Sequence, residues 1–147
     1  MTARRERDGL NYYQTLIAVA DDCPVAQSQI PPERNGKQTI ASLQFALIHD
    51  HPSVYTQEDI LFQTWLLRQE ERDRSDAEVA QLRERFFSKS QACLRSSPLP
   101  KRYGWGLLFD EDGRVKLCPV ESDEYKRITA GEASDIKVVK AMRTKRA

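Results

Sequence analysis

Residues 103–119 read YGWGLLFDEDGRVKLCP, and this stretch decides the fold class. Tyr103, Trp105, Leu107 and Phe109 alternate with Gly104, Gly106 and Leu108, the period of a strand with one strongly apolar face. Asp110-Glu111-Asp112-Gly113 fits a type I turn followed by a left-handed glycine. Such a turn sets Phe109 opposite Val115, Leu107 opposite Leu117 and Trp105 opposite Pro119. The apolar faces then agree, and a one-residue slip would send every apolar side chain to the wrong face, so the register is specified. The expectation is a hairpin over 103–120.

Upstream, Asn11 to Ala20 (NYYQTLIAVA) is rich in aromatic and β-favouring residues and stops at Asp21-Asp22-Cys23-Pro24. It reads as a strand apolar on both faces, hence central in its sheet. Pro24 to Lys37, with Pro31-Pro32 and Asn35-Gly36, reads as an irregular connection. Three helices follow. Ile40, Leu43 and Leu47 recur at helical spacing within Thr39 to Asp50. Thr56 is placed as an N-cap with Asp59 three residues on, before the apolar run Ile60 to Leu67, which is expected to be the most buried helix. Ser75 or Asp76 caps a third helix to about Ser88, with Val79, Leu82 and Phe86 on one face. Downstream of the hairpin, Glu121 to Thr129 suits a short helix, and Ile136 to Met142 a last strand or a helix. The order β, α, α, α, β, β, α, β predicts an α+β fold: a mostly antiparallel sheet with three or four helices packed mainly on one face.

The chain has 147 residues, 39% hydrophobic and 31% charged. That length suits one domain over 10–147 behind a frayed, charged extension at 1–9. The apolar content exceeds that of a wholly disordered chain, and no apolar run approaches the roughly 20 residues of a membrane span. Residues 1–9 lack a signal-type apolar region, and the three cysteines, Cys23, Cys93 and Cys118, form neither a disulfide framework nor a CxxC metal pair. The expected compartment is the cytoplasm, without a membrane partner.

Net charge is +1, which argues against a polyanion partner until the charge is resolved along the chain. Residues 10–82 carry five basic and eleven acidic side chains, and 104–135 carry four and eight. By contrast 83–103 holds six basic residues and one acid, and 137–147 five basic residues and none. The neutral total therefore conceals two basic blocks. They are either solvated faces paired with acidic blocks or, if folding joins them, one positive surface.

The first block continues into the hairpin as KSQACLRSSPLPKRYGWG, residues 89–106. Arg95 and Arg102 suit bidentate binding of phosphate or carboxylate, Lys89 and Lys101 act as point charges, and Ser97 adds a hydroxyl. Tyr103 and Trp105 offer stacking surfaces, although they share a strand face with Leu107 and Phe109 and so also read as core. Gly104 and Gly106 leave room beside Trp105 for a ligand or for another backbone. Arg143 is the contribution of the C-terminal block. No GxxxxGK[ST] or GxGxxG phosphate loop is present, and no cofactor or metal set is expected. Cys93, with cations close by in sequence, is a weak nucleophile candidate. Its base would have to be His49 or His51, which also read as the end of a capped helix.

Several strings together carry a resemblance: Asn11-Tyr12-Tyr13, Asp22-Cys23-Pro24, Tyr55-Thr56 with Asp59, Phe86-Phe87-Ser88-Lys89, Gln91-Ala92-Cys93-Leu94-Arg95, Lys101-Arg102-Tyr103-Gly104-Trp105-Gly106 and Lys140-Ala141-Met142-Arg143. The set resembles an uncharacterised bacterial family catalogued only as a domain of unknown function. The resemblance covers most of the chain after Gly9 and implies a bacterial origin but no activity, cofactor or partner. The expected function is a small soluble binding domain for an anionic ligand, a nucleotide or nucleic acid, held by the 89–102 and 137–146 segments. The alternatives are a homo-oligomeric interaction domain, a dimer built on Trp105, the hairpin and the last strand, and a Cys93-dependent enzyme.

Overall fold

The computed structural model describes residues 11–70 and 73–144, so the expected extension at 1–9 lies outside the described residues. The hairpin is formed by β2 (Trp105–Phe109) and β3 (Val115–Pro119). Phe109 pairs with Val115, Leu107 with Leu117 and Trp105 with Pro119, the expected register. The turn closes through Gly113 N–H donating to Asp110 O at 3.0 Å. β1 (Thr15–Ala18) runs antiparallel to β2, and β4 (Lys137–Lys140) joins β1 in parallel, giving the order β3-β2-β1-β4. The sheet is thus mixed and mostly antiparallel, within an α+β fold. β1 is central and buried along its whole length because its side chains alternate between two apolar layers.

Among the described residues the first layer brings Ile17, Leu107, Phe109 and Val115 against Ile48 of α1 (Ile40–Asp50) and Ile60 of α2 (Gln57–Leu67). Leu94 and Leu99 complete it. The second layer sets Leu16, Ala18, Leu108 and Cys118 against Tyr125 and Ile128 of α5 (Asp123–Thr129). Each fully buried large apolar side chain contributes about 1.5–3 kcal/mol. Helices therefore cover mainly one face, with α5 on the other.

The caps follow the sequence. Thr56 Oγ1 accepts from Asp59 N–H at 3.3 Å while Asp59 Oδ2 accepts from Thr56 N–H at 3.0 Å, a capping box with Asp in the usual Glu place. Ser75 and Glu78 do the same for α3 (Asp76–Phe87). Burial along the helices departs from expectation. In α2 only Gln57, Ile60, Phe62 and Thr64 are fully buried, while α1 buries Ala41, Ser42, Leu43, Gln44 and Ile48. The outer face of α2 meets α3 instead of the sheet. Phe62, Trp65 and Phe86 form a ring cluster there, with the Arg83 guanidinium over Phe62 and Phe87 and bonded to Asp59.

The connector between α3 and the hairpin is more ordered than its composition suggests. Leu94–Ser96 forms a 3-10 turn and α4 (Pro98–Arg102) a short helix, capped by the Ser97 hydroxyl on Leu99 N–H at 3.2 Å. Leu94, Ser97, Leu99 and Pro100 are buried. Gln57, itself buried, accepts from Leu94 N–H at 2.8 Å and so satisfies a backbone donor inside the core.

Candidate functional site

The two basic blocks do meet, through Arg95. Its Nε donates to the Lys140 carbonyl at 2.7 Å, and its own carbonyl accepts from Met142 N–H at 2.8 Å. The parallel register Ala18↔Lys140 puts the ends of β1 and β4 side by side, so residues just past them become neighbours. Those past β1 are Asp21 and Asp22. Lys140 Nζ bonds and pairs with Asp21, Arg143 lies 3.9 Å from the same carboxylate, and Thr144 N–H donates to Asp22 at 3.0 Å. The Lys140 ammonium holds the Asp21 carboxyl below the usual carboxylate range. This cluster is a clasp with its own counter-charges.

The other end of the connector faces different surroundings. Arg102 and Tyr103 open onto a cleft of about 580 Å³ whose opposite rim is the turn Arg34-Asn35-Gly36-Lys37. Arg34 N–H donates to Lys37 O at 2.8 Å and Lys37 N–H to Arg34 O at 3.0 Å, a two-residue hairpin. Asn35 and Gly36 both take positive φ, 55° and 72°, as the tight primed turn requires. The pairing directs Arg34 and Lys37 to one side of the turn. Arg68, at the C-terminal end of α2, joins them. The cleft is thus lined by four cations, with Glu33 as the one carboxylate among its lining residues. Among the described residues no carboxylate ion-pairs with Arg34, Lys37, Arg68 or Arg102. The adjoining first turn of α1 is capped from within by the Thr39–Ser42 box, so the cations and not the helix end define the cleft.

The loop leading to the rim is anchored at Ser28 and Gln29. Ser28 N–H and hydroxyl donate to the Glu121 carboxylate at 2.8 and 2.7 Å, and these bonds hold that carboxyl below its usual range. Gln29 N–H donates to Tyr103 O at 2.9 Å, and Trp105 Nε1 donates to Gln29 O at 2.7 Å. These bonds tie the start of the loop to Tyr103, Trp105 and Glu121.

Of the residues singled out in the sequence, Arg102 and Tyr103 line the cleft. Trp105 is half-buried, packs on Phe45 at 5.2 Å and anchors the loop. Ser97 is buried, capping α4 and donating to Gln44 Oε1 at 2.6 Å. Arg95 and Arg143 belong to the clasp, Lys89 follows the C-cap of α3, and Lys101 lies in the last turn of α4. The two glycines admit protein: a Cβ on Gly104 would lie 3.0 Å from Gln27 O, and one on Gly106 2.9 Å from Cys118 O. Cys93 is half-buried and accepts from the Tyr12 hydroxyl at 3.6 Å. Burial first, then that bond, pushes the Tyr12 phenol up to about 12, so it is protonated at neutral pH and is no base for the thiol. His49 stacks on Phe45 and bonds Asp50, and His51 bonds Leu47 O. Among the described residues no group of three His, Cys, Asp or Glu could hold a metal ion, and no helix is long and apolar enough to cross a membrane.

Arg34, Lys37 and Arg68 escape a reading by charge blocks because they come from the net-acidic part of the chain. For Arg34 and Lys37 the one local signal is the Arg-Asn-Gly-Lys turn itself, which a primed hairpin makes a paired display of cations.

The model of a family described as "Family of unknown function (DUF6157)" matches residues 7–147. No curated protein and no solved structure matches the chain. The chain belongs to this family, in agreement with the resemblance carried by its 91–106 string.

Proposed function

We propose that this member of the family is a small binding domain for an anionic ligand held in the Arg34–Tyr103 cleft. One observation carries the proposal: four cations surround one cleft with a single carboxylate among them and no ion pair holding any of the four among the described residues. Cations brought together this way repel one another, and an anion between them removes that repulsion. Three of the four are arginines, whose planar forks match phosphate or carboxylate oxygens two at a time. The basic connector enters the site through Arg102 and Tyr103, while Arg95 and Arg143 fix the C-terminal strand.

The test is thermal unfolding at low ionic strength with inorganic tripolyphosphate. A ligand that binds only the folded state raises the melting temperature. The rise should shrink as salt is added and be lost in the double variant Arg68→Gln/Arg102→Gln. No rise at low salt, or an equal rise in the double variant, sinks the proposal.

A further inference from the structure

Resting on the anion-binding proposal for the same cleft, we infer that its ligand is a nucleoside polyphosphate: a planar base joined through a sugar to two or more linked phosphates. Charge argues for linked phosphates. A single phosphomonoester carries about −1.5 to −2 at neutral pH, which leaves part of the field of Arg34, Lys37, Arg68 and Arg102 unmatched even after Glu33 is counted. A di- or triphosphate matches it.

Shape argues for an attached ring. Tyr103, Pro98 and Ile40 give the cleft an apolar wall beside the cations, and Ile40 is 39% exposed although it begins a core-packed helix. A tyrosine flanked by a proline is a surface on which a flat base stacks. Asn35 and Gln38, which border the same cleft, supply donors and acceptors for base edges or sugar hydroxyls. The backbone of Tyr103 is fixed there through its N–H, which donates to Leu99 O, and its carbonyl, which accepts from Gln29 N–H.

Length points the same way. A second hollow of about 540 Å³, floored by Leu43 and Leu67, shares Lys37, Gln38 and Arg68 with the cleft. The shared cations stand between the two spaces, so a ligand with its ring at Tyr103 and its charges at Lys37 and Arg68 has room to extend beyond a bare phosphate. Both volumes fall in the range of small-ligand pockets. A polymer, by contrast, needs cations along a track. The other basic cluster offers none, because Asp21 already takes Lys140 and Arg143.

Calorimetric titration of the full chain at low salt, with ATP, GTP, tripolyphosphate and a short single-stranded oligodeoxynucleotide, tests this. One nucleoside triphosphate should bind about tenfold or more tighter than tripolyphosphate, as one stacked base implies. Tyr103→Leu should bring the two affinities to within about twofold by weakening only the nucleotide, and Tyr103→Phe should keep the difference. Unchanged tripolyphosphate binding by Tyr103→Leu shows that this variant is folded. Equal affinity for tripolyphosphate and both nucleotides overturns the inference and leaves the anion-binding proposal standing. An oligonucleotide that binds more tightly than either nucleotide overturns it in favour of a polymer. Absence of binding by every probe overturns the inference and the anion-binding proposal together.

Discussion

Two clusters of cations sit on this fold, and what surrounds them sets them apart. At the ends of β1 and β4, Lys140 and Arg143 meet Asp21, and Arg95 spends its Nε on a backbone carbonyl. In the cleft, Arg34, Lys37, Arg68 and Arg102 line one space and, among the described residues, none of them is held in an ion pair. Topology produces the first arrangement. A parallel β1–β4 pair brings both strand ends to one side of the sheet, so the acidic residues after Ala20 meet the basic residues after Val139. Among the described residues Glu33 is the one carboxylate lining the cleft, whose cations come from a turn, a helix C-terminus and the end of α4. Residue type therefore does not separate the cations of the clasp from those of the cleft; the placement of counter-charge does.

The strongest way to break the comparison is to remove what the clusters share. The connector carries Arg95 at one end and Arg102 at the other, and Leu99, with no exposed surface, pins it to the core. Leu99→Ala should cost about 2–5 kcal/mol, seen as a lower urea midpoint. Tripolyphosphate should still bind whatever fraction remains folded. A loss below about 1 kcal/mol would mean that the connector is not held by its core side chains.

The connector also marks how far the sequence could be read. Alternation and turn chemistry made the hairpin and its register legible, and the Thr56–Asp59 spacing made the α2 cap legible, because each depends on neighbours a few residues apart. The central position of β1 followed from its two apolar faces. The parallel β4 did not follow, since Ile136 to Met142 pairs with a strand about 120 residues earlier and carries no turn to fix a direction. Burial of Leu94 and Leu99 was masked by the Arg, Lys and Ser around them. Half of the candidate site was legible, through Arg102 and Tyr103. The other half was not, because charge counted along the chain assigns Arg34, Lys37 and Arg68 to an acidic region and cannot see them converge.

A sharper contrast comes from removing single cations. Arg34 and Lys37 are directly opposed across a two-residue turn, where like charges destabilise. Arg34→Gln should therefore raise the stability of the unliganded protein, by about 0.2–1 kcal/mol, and added salt should shrink the gain. Lys140→Gln should shift the urea midpoint the other way, since it deprives Asp21 of the nearer of its two cationic partners. Two shifts of the same sign would mean that the cleft cations are compensated after all.

The smallest effect is the most specific to the clasp. Lys140 lowers the Asp21 carboxyl in the folded protein below the unfolded value of about 3.9. A group depressed in this way stabilises the fold fully above its unfolded pKa and loses that contribution as pH falls through the folded pKa. Asp21→Asn keeps a hydrogen-bond acceptor for Lys140 but removes the charge. The variant should melt slightly below the parent at pH 7, by a constant gap down to about pH 5, and the gap should narrow as pH falls further. Because the pair is exposed, raising the salt concentration at pH 7 should also narrow it. A gap that persists in acid would show that Asp21 acts through its hydrogen bond alone. In that case the basic strand end would keep free charge, and the distinction between a compensated clasp and an uncompensated cleft would fail at the clasp.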